Sequence, residues 1–238
     1  MITSDGMFGG KLRVLQKRKG YRFSVDAVLL SGLTKIKETD RVVDLGTGCG
    51  IVLLMLAFRK RGSSLVGVEV QPDLARLAGE NVRRNGWEHR IQIIEMDFRK
   101  LPGYLPPRSF DVVVSNPPYR AIHTGRINPE SEKAVARHEL MASVGDILEV
   151  GSYLLPQGGR LALVYPASRL VCALLESKAH GFGAKRLTVI HPRRSSPGSL
   201  VHIEFLKGGR EELRVTPPFF IRGENGDYTP EMRGFYEE

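Results

Sequence analysis

The sequence predicts an α/β fold on a seven-stranded, mostly parallel, doubly wound sheet with antiparallel last strands, and three observations carry that expectation. Short apolar runs alternate with helical patterns at the pitch of strand–helix units. The first core run ends in a glycine-rich turn that opens an apolar helix. The last two runs have no helical pattern between them, so they form an antiparallel pair and not a crossover.

Element by element, Arg41–Leu45 (RVVDL) is the first buried strand. Ile51–Phe58 is apolar on every side, as expected of a helix packed hard against a sheet. Ser64–Val70 is the second strand, and Pro72 opens a helix with Leu74, Leu77, Ala78 and Val82 on one face. Ile91–Met96 and Phe110–Val114 are strands three and four. Leu140, Val144, Ile147, Leu148 and Leu155 mark an amphipathic helix stopped by Pro156 and Gly158-Gly159. Arg160–Tyr165 is strand five, and Ser168–His180 is a helix ending at Gly181. Arg186–His191 and Val201–Leu206 complete the sheet. Residues 1–40 read as a basic N-terminal extension, 41–207 as the core, and 208–238 as a C-terminal extension packed on it.

Composition agrees with a globular chain: of 238 residues, 42% are apolar and 26% charged. No run of about 18 apolar residues exists, so no membrane span is expected. Residues 1–11 hold no apolar segment of the signal-peptide kind. Only two cysteines occur, Cys49 and Cys172, which argues against a disulfide framework or a zinc ribbon and for a reducing cytoplasm. The net charge is 35 − 26 = +9, with a pI near 9.7, which points to a polyanionic partner. The charge is localised: Lys11, Arg13, Lys17, Arg18, Lys19 and Arg22 form one cluster, Arg59, Lys60 and Arg61 a second, Lys185, Arg186, Arg193 and Arg194 a third. From Gly208 onward the chain is slightly acidic.

Three motifs carry chemistry. In Asp44-Leu45-Gly46-Thr47-Gly48-Cys49-Gly50, Gly46 and Gly48 let the backbone turn tightly and approach a ligand. Glu69 ends the next strand, where a carboxylate can accept from both hydroxyls of a ribose. Asp44 would be repelled by a pyrophosphate but attracted by an ammonium, which favours S-adenosylmethionine over a nicotinamide cofactor. Asp97-Phe98 follows strand three, where it would lie against the adenine ring: Asp97 accepts from an amino group, and Phe98 offers an apolar edge. At the end of strand four stands Ser115-Asn116-Pro117-Pro118-Tyr119. Two prolines remove two N–H donors, so this rim presents acceptors. The Asn116 side-chain oxygen and the Pro117 carbonyl can each accept one N–H of an exocyclic amine, while Tyr119 can stack on an extruded base.

The order DLGTGCG, GVEV, MDF, SNPPY resembles the class I, Rossmann-like amino-methyltransferases. Three flanking segments resemble one family among them, the bacterial tRNA1(Val) adenine N6-methyltransferases: Gly20–Leu30 (GYRFSVDAVLL), Ala136-Arg137-His138-Glu139, and Gly226–Met232 (GDYTPEM). The resemblance implies methylation of N6 of the adenosine 3′ of the anticodon, with S-adenosylmethionine as cofactor and tRNA as partner. It further implies that Tyr21–Asp26, including Phe23 and Asp26, closes over the methionine end of the cofactor. Asp44, Gly46 and Gly48 would then line the amino-acid portion, Glu69 the ribose and Asp97 the adenine, with Asn116 at the methyl group.

Other chemistries lack their motifs. His138-Glu139 is followed by Ala142 where a zinc motif needs a second histidine, and neither a G-x-S-x-G elbow nor a P-loop occurs. No metal is expected, and a monomer is. The polar stretch 120–137, with Arg120 and Arg126, is expected to be a mobile loop that contacts RNA. Three alternatives stay open: a protein glutamine N5-methyltransferase, a ribosomal-RNA amino-methyltransferase, and an RNA-binding module without turnover.

Overall fold

A computed structural model describes residues 2–18, 23–117 and 142–237. A hairpin of β1 (Ile2–Met7) and β2 (Leu12–Lys17) precedes α1 (Val25–Leu33). The core then runs β3 (Arg41–Leu45), α2 (Ile51–Phe58), β4 (Ser64–Glu69), α3 (Pro72–Arg84), β5 (Ile91–Glu95) and β6 (Val112–Ser115). It continues with α4 (Val144–Leu154), β7 (Arg160–Pro166), α5 (Leu170–Ala179), β8 (Phe182–His191) and β9 (Leu200–Lys207). Two-residue strands β10 (Arg214–Val215) and β11 (Phe219–Phe220) and a last helix α6 (Pro230–Glu237) follow.

The large sheet has the order β10-β8-β9-β7-β6-β3-β4-β5, with β11 also paired to β8. Strands β3 to β7 pair in parallel, while β9 is antiparallel to both β7 and β8. The expected class and the antiparallel closing pair are therefore both present. Strand order reverses beside β3, which has β4 on one side and β6 on the other. Open α/β sheets bind ligands at such a switch point, outside the carboxyl ends of the strands.

Apolar cores cover both faces. Val42 packs with Ile51 to Ala57 of α2 and with α1 and α3, whereas the adjacent Val43 points into the second core, with Ile147 and Leu148 of α4 and Phe205 of β9. This is why the central strands read as unbroken apolar runs. Truncating a fully buried leucine such as Leu53 to alanine is worth about 2–5 kcal/mol.

Several boundaries differ from the sequence-based expectation. The fourth core strand spans Val112–Ser115, displaced from Phe110–Val114: the Phe110 amide is drawn to the Leu154 carbonyl of α4, and Asp111, bonded to Arg41 of β3 and Arg160 of β7, leads into the ladder. Strand β8 starts at Phe182, four residues before Arg186, with an irregular register between Ala184 and Arg186. Helix α4 starts at Val144, where Ser143 and Asp146 form a reciprocal capping box; Leu140 lies outside the described residues. In α1, Ala27, Val28, Leu29 and Leu30 are buried against the core. No described helix is long and apolar enough to cross a membrane.

Candidate functional site

The carboxyl ends of β3, β4, β5 and β6 meet at the switch point, so motifs far apart in sequence share one rim. The loop after β3 is pinned to β4: the Gly46 and Thr47 amides donate to the Val68 carbonyl at 2.9 and 3.0 Å. Gly46, Gly48 and Gly50 have φ of 81°, 60° and 83°, in the left-handed region that favours glycine. At Gly46 a Cβ would meet nothing within 4 Å, so open space lies before this backbone. Beneath the loop a Cβ on Gly67 of β4 would come within 2.8 Å of the Thr47 methyl, which requires glycine there.

Two carboxylates face this loop. Asp44 and Glu69 are 2% and 5% exposed. Glu69 is anchored by backbone: its Oε2 accepts from Gly48 N at 2.9 Å and its Oε1 from Gln71 N at 2.9 Å. Each of its oxygens keeps a lone pair for a further donor. Asp44 differs, because its Oδ2 is buried with no hydrogen-bond partner. Burial pushes its pKa up to about 7, the Glu69 charge adds to the rise, and the Thr47 hydroxyl offsets part of it. That hydroxyl is close to Asp44 but forms no bond of good geometry and is itself buried without a partner. A buried carboxylate lacking a donor, at the edge of open space, fits a cationic ligand group. The loop's Cys49 is buried, and its thiol is pushed up to about 12, which leaves it inert.

At the end of β5, Asp97 caps the 3-10 turn Phe98–Gly103 and takes Arg99 in a fork, with Arg99 Nε at 3.0 Å and Nη2 at 2.6 Å. This pairing holds the Asp97 carboxyl below its ordinary range. Phe98 is half-buried against the second core. At the end of β6, Ser115 Oγ donates to the Leu45 carbonyl at 2.6 Å, which locks the ends of β6 and β3 together. Asn116 is half-buried and Pro117 buried directly beyond that lock. Pro118, Tyr119, the 120–137 stretch and Ala136–Glu139 lie outside the described residues, as do Tyr21 and Arg22.

Phe23 and Asp26 come to the same end of the sheet. The other end of α1 is fastened toward the amino ends of the strands, where Arg160, at the start of β7, donates to the Lys35 carbonyl. The helix therefore presents its N-terminus at the rim. Phe23 N donates to Gln16 Oε1 at 3.0 Å, and Ser24 caps the helix by accepting from Asp26 N. Desolvation raises the Asp26 pKa. His191 and His202 are strand residues as expected. His202 is fully buried and neutral, with its pKa lowered to about 3. No described group of His, Cys, Asp and Glu could hold a metal ion.

Sequence reasoning missed the residues that hold the loop from behind. Asn81 of α3 is fully buried: its Nδ2 donates to Cys49 O at 2.9 Å and Leu15 O at 3.1 Å, and its Oδ1 accepts from Leu15 N at 2.7 Å. Asn85, one turn later, does the same for the N–H and C=O of Arg13. The spacing Asn81/Asn85 puts both on one helix face and is the only trace in the sequence; their partners in β2 lie more than sixty residues earlier.

The sequence pattern of the methyltransferase small domain matches residues 24–179. A tRNA1(Val) (adenine(37)-N6)-methyltransferase of Tolumonas auensis is 31% identical over 224 residues, covering 94% of this chain and 91% of its own. One from Aeromonas salmonicida is 34% identical over 188 residues, 76% of each chain. Among solved structures, a predicted O-methyltransferase of Agrobacterium tumefaciens superposes with a TM-score of 0.71 at 22% identity, covering 89% of this chain and 95% of that one. At that identity the likeness speaks to the fold.

Proposed function

Since the chain belongs to the methyltransferase small-domain family and, within it, to the tRNA1(Val) adenine-37 N6-methyltransferases, we propose that it uses S-adenosylmethionine to methylate N6 of an adenosine in tRNA, the adenosine 3′ of the anticodon. The reading rests above all on one juxtaposition: an unpartnered buried carboxylate, Asp44, ends one strand, and the acceptor pair Asn116 and Pro117 ends its neighbour.

When bound, S-adenosylmethionine supplies a sulfonium-activated methyl group. Asp44 receives the ammonium of its amino-acid portion, with Gly46 and Gly48 leaving room for that portion and Phe23 and Asp26 flanking it. Glu69, held rigid by two amides, accepts from the ribose hydroxyls with its remaining lone pairs. Asp97, whose two oxygens are engaged by Arg99 in the ligand-free chain, takes the adenine amino group in exchange for part of that contact, while Phe98 borders the ring.

The target amine is a poor nucleophile because its lone pair is delocalised into the ring. Asn116 Oδ1 and the Pro117 carbonyl each accept one of its N–H bonds, which turns the lone pair toward the methyl carbon. The same acceptors stabilise positive charge developing on nitrogen. Tyr119, at the next position but one, stacks on the extruded base. Once alkylated the nitrogen is acidic, so its proton leaves to solvent without a base of matched pKa.

The test is incubation with labelled S-adenosylmethionine and unmodified bulk tRNA, followed by digestion to nucleosides. The expected product is N6-methyladenosine. Label in a protein glutamine, or in no RNA, overturns the assignment. Asn116→Ala is expected to lower the transfer rate by roughly 10² or more, as for removal of one transition-state hydrogen-bond partner, while tRNA binding persists. An unchanged rate refutes the acceptor mechanism.

A further inference from the structure

The third basic cluster of the sequence is divided by the fold. Arg186 and Lys185 lie within β8 and pair with Glu204 at 2.9 Å and Glu212 at 3.8 Å. Arg193 and Arg194 lie beyond the end of β8, in the turn 192–199 that joins it to β9, and both are exposed.

The ladder fixes where that turn stands. Ser115 of β6 is level with Leu163 of β7, Leu163 with Ile203 of β9, and Ile203 with Leu187 of β8. Strand β6 thus ends at the Ser115 row, whereas β8 runs four residues further, to His191. At about 3.3 Å per residue, the turn starts roughly 13 Å above the Ser115 row, three strand spacings or about 14 Å to the side. It forms a wall on the same rim as Asn116.

Two aromatic rings on this wall hold cations in place. Strand β11 brings Phe220 level with His191, and the Arg194 guanidinium stands 5.3 Å from the Phe220 ring centre. Arg222, exposed just after β11, stands 4.7 Å from the Tyr228 ring and donates to the Gly226 carbonyl at 2.7 Å. No ion pair joins Arg193, Arg194 or Arg222 to a described carboxylate, although Glu224 and Asp227 occupy the intervening turn. Asp227 is engaged by the Asn225 amide instead. Stacked guanidinium groups lose little further freedom on binding and keep in-plane donors free for the bidentate recognition of phosphate.

We propose that Arg193, Arg194 and Arg222 form a phosphate clamp that holds the RNA backbone of the substrate beside the catalytic rim. The clamp rests on the RNA-methylating reading above and adds to it the surface on which the RNA lies. Arg169, in the 3-10 turn after β7, stands between the clamp and Asn116, and that turn is tied to the wall by Ala167 N donating to Ser199 O at 3.0 Å. The exposed cations Lys35 and Lys37 follow α1 at the opposite end of the sheet and lie outside the path of this RNA.

The experiment measures binding of unmodified tRNA across a potassium chloride series, independently of methyl transfer. The proteins are the full chain, Arg193→Ala/Arg194→Ala, and Lys35→Ala/Lys37→Ala, each checked for an unchanged melting temperature. For the first pair the expected result is about tenfold weaker binding, with a slope of log affinity against log salt that is shallower by about two. The second pair is expected to leave both quantities unchanged. Should the arginine variant melt early, Arg193→Lys/Arg194→Lys replaces it, with the slope kept and the affinity lowered. A chain that methylates RNA but whose affinity and slope ignore Arg193 and Arg194 overturns the clamp and keeps the function. Arginine-dependent tRNA binding without any RNA methylation overturns the function and keeps the clamp. No tRNA binding overturns both.

Discussion

Asp44 is buried with no donor to its Oδ2, which costs the ligand-free fold stability. Its pKa is pushed up to about 7 by burial, from an ordinary carboxylate value near 4. A group whose folded pKa is raised contributes its full share below the unfolded value and loses it as pH rises through the folded one. Between about pH 4 and pH 7 Asp44 therefore lowers stability progressively, by on the order of 4 kcal/mol at the upper end. Asp44→Asn removes the charge and is expected to stabilise the ligand-free protein at pH 8 by about 1–3 kcal/mol, an increment near zero at pH 5, where Asp44 is already protonated. The same variant is expected to lose cofactor binding. Thermal unfolding at the two pH values checks this, and equal destabilisation at both would show that Asp44 has a donor in the folded protein. The sequence singled out Asp44, Glu69 and Asn116 because each stands at or beside a strand end inside a short contiguous motif. It did not disclose that Asp44 lacks a partner while Glu69 has two, since that depends on the Gly48 and Gln71 amides meeting one carboxylate and not the other.

Helix α3 works as a clamp as well as a cover for the sheet. A strand edge normally leaves N–H and C=O groups open, but Asn81 and Asn85 satisfy both groups of Leu15 and of Arg13 in β2. Asn81 also holds the Cys49 carbonyl, so hairpin, helix and glycine loop share one buried side chain. Asn81→Leu leaves three backbone groups without partners and is expected to cost about 2–4 kcal/mol, together with weaker cofactor binding as the loop loosens. Asn85→Ala, at a more exposed site, is expected to cost about 0.5–1.5 kcal/mol and to spare cofactor affinity. Denaturant unfolding and cofactor titration separate the two, and equal effects would dissolve the distinction. Legibility follows the same division. Strands buried on both faces announce themselves as apolar runs, so β3, β4 and β7 were readable within a residue or so, and the edge strand β5 was readable from its three isoleucines although Gln92 and Glu95 are exposed. The hairpin was not: β1 is polar and mostly exposed, and its turn is built on Phe8, Gly9 and Gly10 in left-handed backbone. What fixes it is tertiary, through Asn81, Asn85 and Phe8 stacked 4.2 Å from Phe58. Likewise β10 and β11 are two residues each and exist through their pairing with β8.

At the scale of the whole molecule, the candidate site joins segments around residues 23–26, 44–50, 69–71, 97–98 and 115–117, so a ligand that bridges them stabilises the entire sheet. A ligand that binds the folded state alone adds about 2.7 kcal/mol at one hundred times its Kd. For a chain of this length that corresponds to a rise in Tm of roughly 5–10 °C. The rise also carries a signature of Asp44. In the proposed function the ammonium of the cofactor pairs with the ionised carboxylate, and in the free protein that form grows from about a tenth at pH 6 to about a half at pH 7. Affinity for S-adenosylhomocysteine, which keeps the ammonium and lacks the sulfonium, is therefore expected to increase about fivefold from pH 6 to pH 7. Its Tm shift at a fixed concentration should grow in the same direction, and binding below pH 7 should release protons. Asp44→Asn is expected to abolish the shift at both pH values, whereas Arg193→Ala/Arg194→Ala, which acts on the RNA side, keeps it intact. A shift that is the same at pH 6 and pH 7 in the unaltered chain would place the ammonium away from Asp44, and with it the orientation of the cofactor across the rim.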